Sequence, residues 1–118
     1  MGGRLGEVIW TRRYSFQSVH ALHAGALIER AHGHQYFLEV SFEGRDIDAV
    51  DALIEPLVAN HLHARELLEI QPSTGEAIVE WIDSKLRDTT IASRLRGVAL
   101  QETRKNRFVS AKTESKYV

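Results

Sequence analysis

Two long runs of strict alternation set the terms for this chain. Val8, Trp10, Arg12, Tyr14, Phe16, Ser18 and His20 share one parity. His32, His34, Tyr36, Leu38, Val40 and Phe42 do the same further on, with Gln35, Phe37, Glu39 and Ser41 between them. Side chains of a strand point to opposite faces in turn, so a period of two over 8–20 and again over 32–43 predicts two long strands. A loop containing Gly25 and Glu29 joins them.

The period then changes. Ile47, Val50, Leu53/Ile54, Leu57/Val58 and Leu62 recur at helical spacing, which predicts a helix over 47–62. Pro56 falls inside it and should kink it or end it early, because proline lacks an N–H and crowds the preceding turn. Ser73 and Glu76 have the spacing of a capping box, with Pro72 before them. The helix behind that cap buries Ile78, Ile82 and Leu86, with Ala77 and Trp81 alongside. Strand character returns over 97–103, with Val98, Leu100 and Glu102 on one side. Lys105-Asn106 reads as a turn, and Phe108–Lys112 is then expected to be the returning strand of a hairpin.

The order is ββααββ. Two antiparallel hairpins with both helices on one face of a four-stranded sheet make an α+β fold. A chain of 118 residues is expected to form one domain over 1–118. Four strands and two helices leave one sheet face without a helix, and the faces carrying Trp10, Tyr14, Phe37 and Phe108 are expected to pack against other copies.

Composition narrows the function. Fifteen Lys+Arg against sixteen Asp+Glu give a net charge of −1, which argues against a nucleic-acid binder. No apolar run approaches the ~20 residues that span a bilayer, and no signal peptide is expected. Absence of cysteine excludes disulfides, thiolate ligands and thiol nucleophiles and makes a cytoplasmic protein the expectation. The six histidines, by contrast, all fall between positions 20 and 63, in the pairs His20/His23, His32/His34 and His61/His63. Histidines two apart on a strand project the same way, and His20 ends the preceding strand on a matching parity. Three neutral imidazoles with an open fourth position form a catalytic zinc arrangement. His23 sits past the strand end and off the parity, and is not counted among the ligands.

The run Phe16-Gln17-Ser18-Val19-His20, then Glu29-Arg30-Ala31-His32-Gly33-His34, resembles the 6-pyruvoyl-tetrahydropterin synthase and 6-carboxy-tetrahydropterin synthase superfamily. The resemblance continues through Asn60-His61, Pro72-Ser73-Thr74-Gly75-Glu76 and Glu102-Thr103, and covers roughly residues 8–112. It implies the tunnelling fold, with His20, His32 and His34 as ligands of a Zn2+ cofactor. It also implies that Glu102 grips the pterin, a carboxylate facing the 2-amino and N3–H donors. Thr74 assists at the substrate, through its hydroxyl or backbone, unless the stretch is only a helix cap. A homo-oligomer is implied as well, a trimer closing its sheets into a barrel or a hexamer of two such trimers.

The sequence also departs from the family pattern. The family's catalytic cysteine lies four residues before the first histidine of His-Gly-His, and here Ile28 stands there. Glu29, three before His32, gives Glu-x-x-His-Gly-His instead, which resembles the type-III variant. That variant cleaves the side chain of dihydroneopterin triphosphate to give 6-hydroxymethyl-dihydropterin, a folate precursor. Asn60-His61 replaces the usual Asp-His, so His61 lacks a charged partner; His63 is a second candidate. Glu29 and His61 are thus the expected catalytic residues. A 6-pyruvoyl- or 6-carboxy-forming enzyme and a non-catalytic zinc- or pterin-binding protein remain as alternatives. Arg12, Arg13, Arg30, Arg104, Lys105 and Arg107 are the cations available to a triphosphate.

Overall fold

The structure is a computed structural model. It describes residues 8–20, 23–24, 27–28, 32–62, 65–66, 70, 74–102 and 105–117, with the backbone alone at positions 19–20, 23–24, 27–28, 32–34, 61 and 65–66. Strand β1 runs Ile9–His20 and strand β4 runs His32–Glu43, so both alternating runs form strands over nearly the expected spans. Where a plain loop was expected, the connection carries a two-residue ladder, β2 (His23–Ala24) against β3 (Leu27–Ile28). Two residues per strand are too few for alternation to reveal.

Helix α1 spans Ile47–Leu57. Asp46 caps it, its carboxylate accepting from the Ala49 N–H, which satisfies one of the orphan donors of the first turn. Pro56 lies within the last turn, and the chain then widens into a π-helical turn, Val58–Leu62. The expected helical stretch therefore holds to residue 62 but changes its winding just after the proline. A short strand, β5 (Arg65–Glu66), follows, and then helix α2, Gly75–Arg87. The cap of α2 is Thr74, not Ser73: its hydroxyl accepts from the Ala77 N–H at 3.3 Å. The expected capping box is thus displaced by one residue, and Glu76 falls within the first turn. Strand β6 is Leu95–Gln101 and β7 is Arg107–Val109, a shorter return than the expected 108–112.

The four antiparallel strands lie in the order β1-β4-β6-β7, with β5 added in parallel at the β1 edge. Both helices cover one face. Phe16, Tyr36, Leu38, Val40, Phe42, Val98 and Leu100 from the sheet meet Val50, Ile54, Ile78, Ile82 and Leu86 from the helices, all essentially without solvent contact. Burial of this apolar surface is the main stabilising term, on the order of 25 cal/mol per Å².

The expectation of an aromatic open face needs correcting. Tyr14 and Phe108 pack against the helix-side core, and Trp10 shares their parity, paired with the buried Phe42. Of the four aromatics only Phe37 lies on the other face, where the Arg13 guanidinium stacks 4.4 Å from its ring centre. That face is polar. Thr11 bonds Ser41 at 2.9 Å, Arg107 bonds Glu39 at 3.0 Å and Arg13 donates to Gln101 at 3.3 Å. Alternation fixes which residues share a face but not which face the helices take. The inward Arg12 settles it only through its partner on α1, Asp51.

Candidate functional site

Strands β1 and β4 pair through their whole length, and their register decides what meets at the far end. Position 20 stands opposite position 32, and Ser18 opposite position 34. Residues directly across an antiparallel pair share a face, and so do residues two apart. Positions 20, 32 and 34 therefore fall on one face, the face of the buried Ser18, Phe16 and Tyr36. They continue the core face of the ribbon beyond its apolar part. Such a donor set, three imidazoles at adjacent registered positions and no cysteine in the chain, fits a zinc ion with an open position. Among the described side chains no group of three or more potential ligands occurs.

Glu102 follows the last residue of β6. Its N–H donates to the Asn106 carbonyl at 3.0 Å, closing the turn into β7. Since Gln101 pairs with Phe37 and Leu100 with Leu38, the next position across from Tyr36 is 102, on the face of positions 34 and 20. Tyr36 stands between the histidine positions and Glu102, two residues or about 7 Å of strand from position 34. It is 1% exposed and its ring stacks on Phe16 at 5.2 Å. Burial first, and the Glu102 charge second, push its phenol up to about 12. The hydroxyl therefore keeps its proton at any working pH.

The N-terminus of α2 lies at the same end. Gly75 packs so closely on Phe108 that a Cβ there would fall 2.1 Å from the ring. Phe108 pairs with Leu100, two residues from Glu102. Thr74, one residue before Gly75, is thereby brought to the Glu102 end, with its hydroxyl lone pair engaged by the helix cap.

The π-helical turn carries Asn60 and His61 to β1. The buried Ser18 hydroxyl donates to the Leu62 carbonyl at 2.6 Å, and Arg65 then pairs with Ser18 in the β5 ladder. Turns of this winding are rare and concentrate at functional sites. The structure thus brings the backbone at 61 to the strand that ends in position 20. Glu29, Arg30, His63, Ser73, Thr103 and Arg104 lie outside the described residues.

Residues 9–113 match the family described as 6-pyruvoyl tetrahydropterin synthase. The chain belongs to that family. It is 30% identical, over 78% of its own length and 84% of the relative's, to 6-carboxy-5,6,7,8-tetrahydropterin synthase of Synechocystis. Two solved structures share the fold. The 6-pyruvoyl tetrahydropterin synthase of Caenorhabditis elegans superposes with a TM-score of 0.74 at 24% identity, over 87% of this chain and 94% of that one. That of Plasmodium falciparum gives 0.65 at 14% identity, over 88% and 96%. The ββααββ order and antiparallel sheet thus make this the tunnelling fold of the 6-pyruvoyl tetrahydropterin synthase family.

Within this family member the cation candidates divide. Arg12 holds Asp51 through Nε at 3.2 Å and Nη2 at 2.6 Å, and Tyr14 adds its hydroxyl at 2.5 Å. Eight residues of strand, about 26 Å, separate Arg12 from position 20, so it clamps α1 to β1 and does not serve its own chain's site. Arg13 and Arg107 belong to the polar face and its pairs with Phe37 and Glu39. A cleft of about 270 Å³ lined by Tyr14, Ser15, Glu55, Val58 and Ala59 opens beside β1 and the end of α1. Sequence reasoning missed Tyr36 and Ser18 at the site. Their parity with His34 and His20 was visible, but tyrosine and serine on an inward face carry no chemical signal until Glu102 and Leu62 are seen beside them.

Proposed function

We propose that this protein is a zinc-dependent pterin enzyme that acts on dihydroneopterin triphosphate and cleaves its side chain to 6-hydroxymethyl-dihydropterin. The observation that carries the reading is the register of β1 and β4, which aligns positions 20, 32 and 34 on one face beside Tyr36 and Glu102. Family membership supports the substrate class, and Glu29 in place of a cysteine supports the cleavage.

Zinc held by His20, His32 and His34 would polarise substrate oxygen and lower the pKa of a bound hydroxyl. Glu102 holds the pterin edge, accepting from the 2-amino group and N3–H. The buried, neutral Tyr36 lies beside that carboxylate and keeps water from that side of the site. Glu29 takes the proton from the outer of the two adjacent side-chain hydroxyls. The bond between the two hydroxyl-bearing carbons then breaks, its electrons pass to the pterin imine, and the triphosphate fragment leaves as an aldehyde. His61 returns a proton to the carbon that stays on the ring. Asn60, next to it in sequence, can offer a hydrogen bond but no charge, so His61 works without electrostatic support for its imidazolium.

The reading includes assembly into a trimer or a hexamer. Its support is the edge of β1: β5 pairs only with Ser18 and Val19, which leaves Ile9–Phe16 with no strand paired on that side among the described residues. Light scattering at low micromolar concentration checks this, and a stable folded monomer would contradict it. For the chemistry, Glu29→Gln should retain zinc and pterin binding and lose at least ~100-fold in turnover, the low end for a general base. Near-normal turnover in that variant would remove Glu29 from the mechanism.

A further inference from the structure

The bond from the Ser18 hydroxyl to the Leu62 carbonyl is buried, short and long-range, joining residues that lie far apart in sequence. It meets the end of a helical segment, where the last carbonyls have no partner within the helix. Ser18 is 1% exposed and Leu62 is wholly buried, so water does not compete for either group. The segment it catches is the π-helical turn that contains His61. The strand it belongs to reaches position 20 two residues later and faces position 34 directly. Just beyond the turn, Arg65 and Glu66 pair with Ser18 and Val19, a second attachment at the same point of β1.

We propose that Ser18 is a positioning residue: its hydroxyl docks the His61-bearing turn onto the metal strand and so fixes His61 against the reacting centre. The inference rests on the reading of His61 given above. It adds a group that touches neither metal nor substrate. The turn's winding gives an anchor outside the helix a purpose beside the burial of Leu62 and the β5 ladder. A π-helical segment has wide, weakly held hydrogen bonds, and it follows Pro56, which supplies no N–H to the helix before it. Without an outside anchor its angle to the sheet is poorly fixed. A displacement of about 1 Å in a proton-transferring group is enough to slow a reaction markedly.

The test uses the full chain in four forms: unsubstituted, Ser18→Ala, His61→Ala and the double variant. Two readouts are taken, steady-state turnover of dihydroneopterin triphosphate and amide hydrogen exchange. Ser18→Ala should lower kcat about tenfold with KM within about twofold, the pattern of a group acting on the chemical step. In the His61→Ala background the same change should cost less than about twofold, because the residue it positions is gone. Exchange over residues 58–66 should quicken about tenfold in Ser18→Ala, while residues 78–86 of α2 stay unchanged, which shows that the fold is intact. Unaltered exchange at 58–66, an unaltered kcat, or the same loss in both backgrounds overturns the proposal. If the unsubstituted protein does not turn over the substrate, the assigned reaction falls and the role of His61 with it. The exchange comparison then still decides whether Ser18 docks the turn.

Discussion

Replacing Gly75 with alanine sets two opposed effects against each other at the start of α2. Alanine in a helix gains about 0.4–1 kcal/mol over glycine, mostly by restricting the unfolded chain. Here, however, the new methyl would meet Phe108 Cε2 at 2.1 Å, Cδ2 at 2.4 Å and Cζ at 2.9 Å. Ordinary carbon contacts begin near ~3.5 Å, so the ring must retreat by about 1.4 Å. Phe108 is packed against the core on a three-residue strand, and the ring's retreat disturbs that packing. Overpacking of this kind costs about 1–3 kcal/mol. The net expectation is a loss of about 1–2 kcal/mol, read as a fall of about 3–8 °C in Tm for a domain of this size. Melts of Gly75→Ala, Phe108→Ala and the double variant at one protein concentration measure it. In the Phe108→Ala background the same substitution should be neutral or stabilising. A higher Tm for Gly75→Ala with Phe108 present, or an equal loss in both backgrounds, would refute the close packing of α2 on β7.

Two further outcomes follow from the same structure. His32→Ala and His34→Ala should each reduce bound zinc well below one ion per chain, while His23→Ala leaves it unchanged; elemental analysis of the purified proteins checks this. Hydrogen bonds from Arg12 and then Tyr14 hold the Asp51 carboxyl below the usual carboxylate range. A depressed carboxylate contributes stability above its unfolded pKa of about 4 and loses it as pH falls through the folded value. Asp51→Asn should therefore weaken the protein at neutral pH and flatten its stability below about pH 4, as followed by denaturant melts across that range.

Much of the fold could be read from the sequence because its strands are long. Twelve residues of alternation define β1 and β4 better than any local propensity, and the register that gathers positions 20, 32 and 34 follows from them. What escaped reading was short or depended on partners. The β2–β3 ladder has two residues a side. Ser and Thr are both good caps, so the sequence does not choose between Ser73 and Thr74, and the structure shows Thr74 in the role. Tyr14 looked like an exposed aromatic until Asp51 of α1 accounted for its hydroxyl. Pro56 is expected to kink its helix or end it early, and the α-winding does stop one residue after it, at Leu57, and passes into the π-helical turn.

The central claim is the reaction, and product identity tests it most directly. Purified, zinc-loaded protein is incubated with dihydroneopterin triphosphate and the pterin product is identified by mass. The account predicts 6-hydroxymethyl-dihydropterin, formed together with a triphosphate-bearing aldehyde. A 6-pyruvoyl or 6-carboxy product, or substrate bound and returned unchanged, would contradict it.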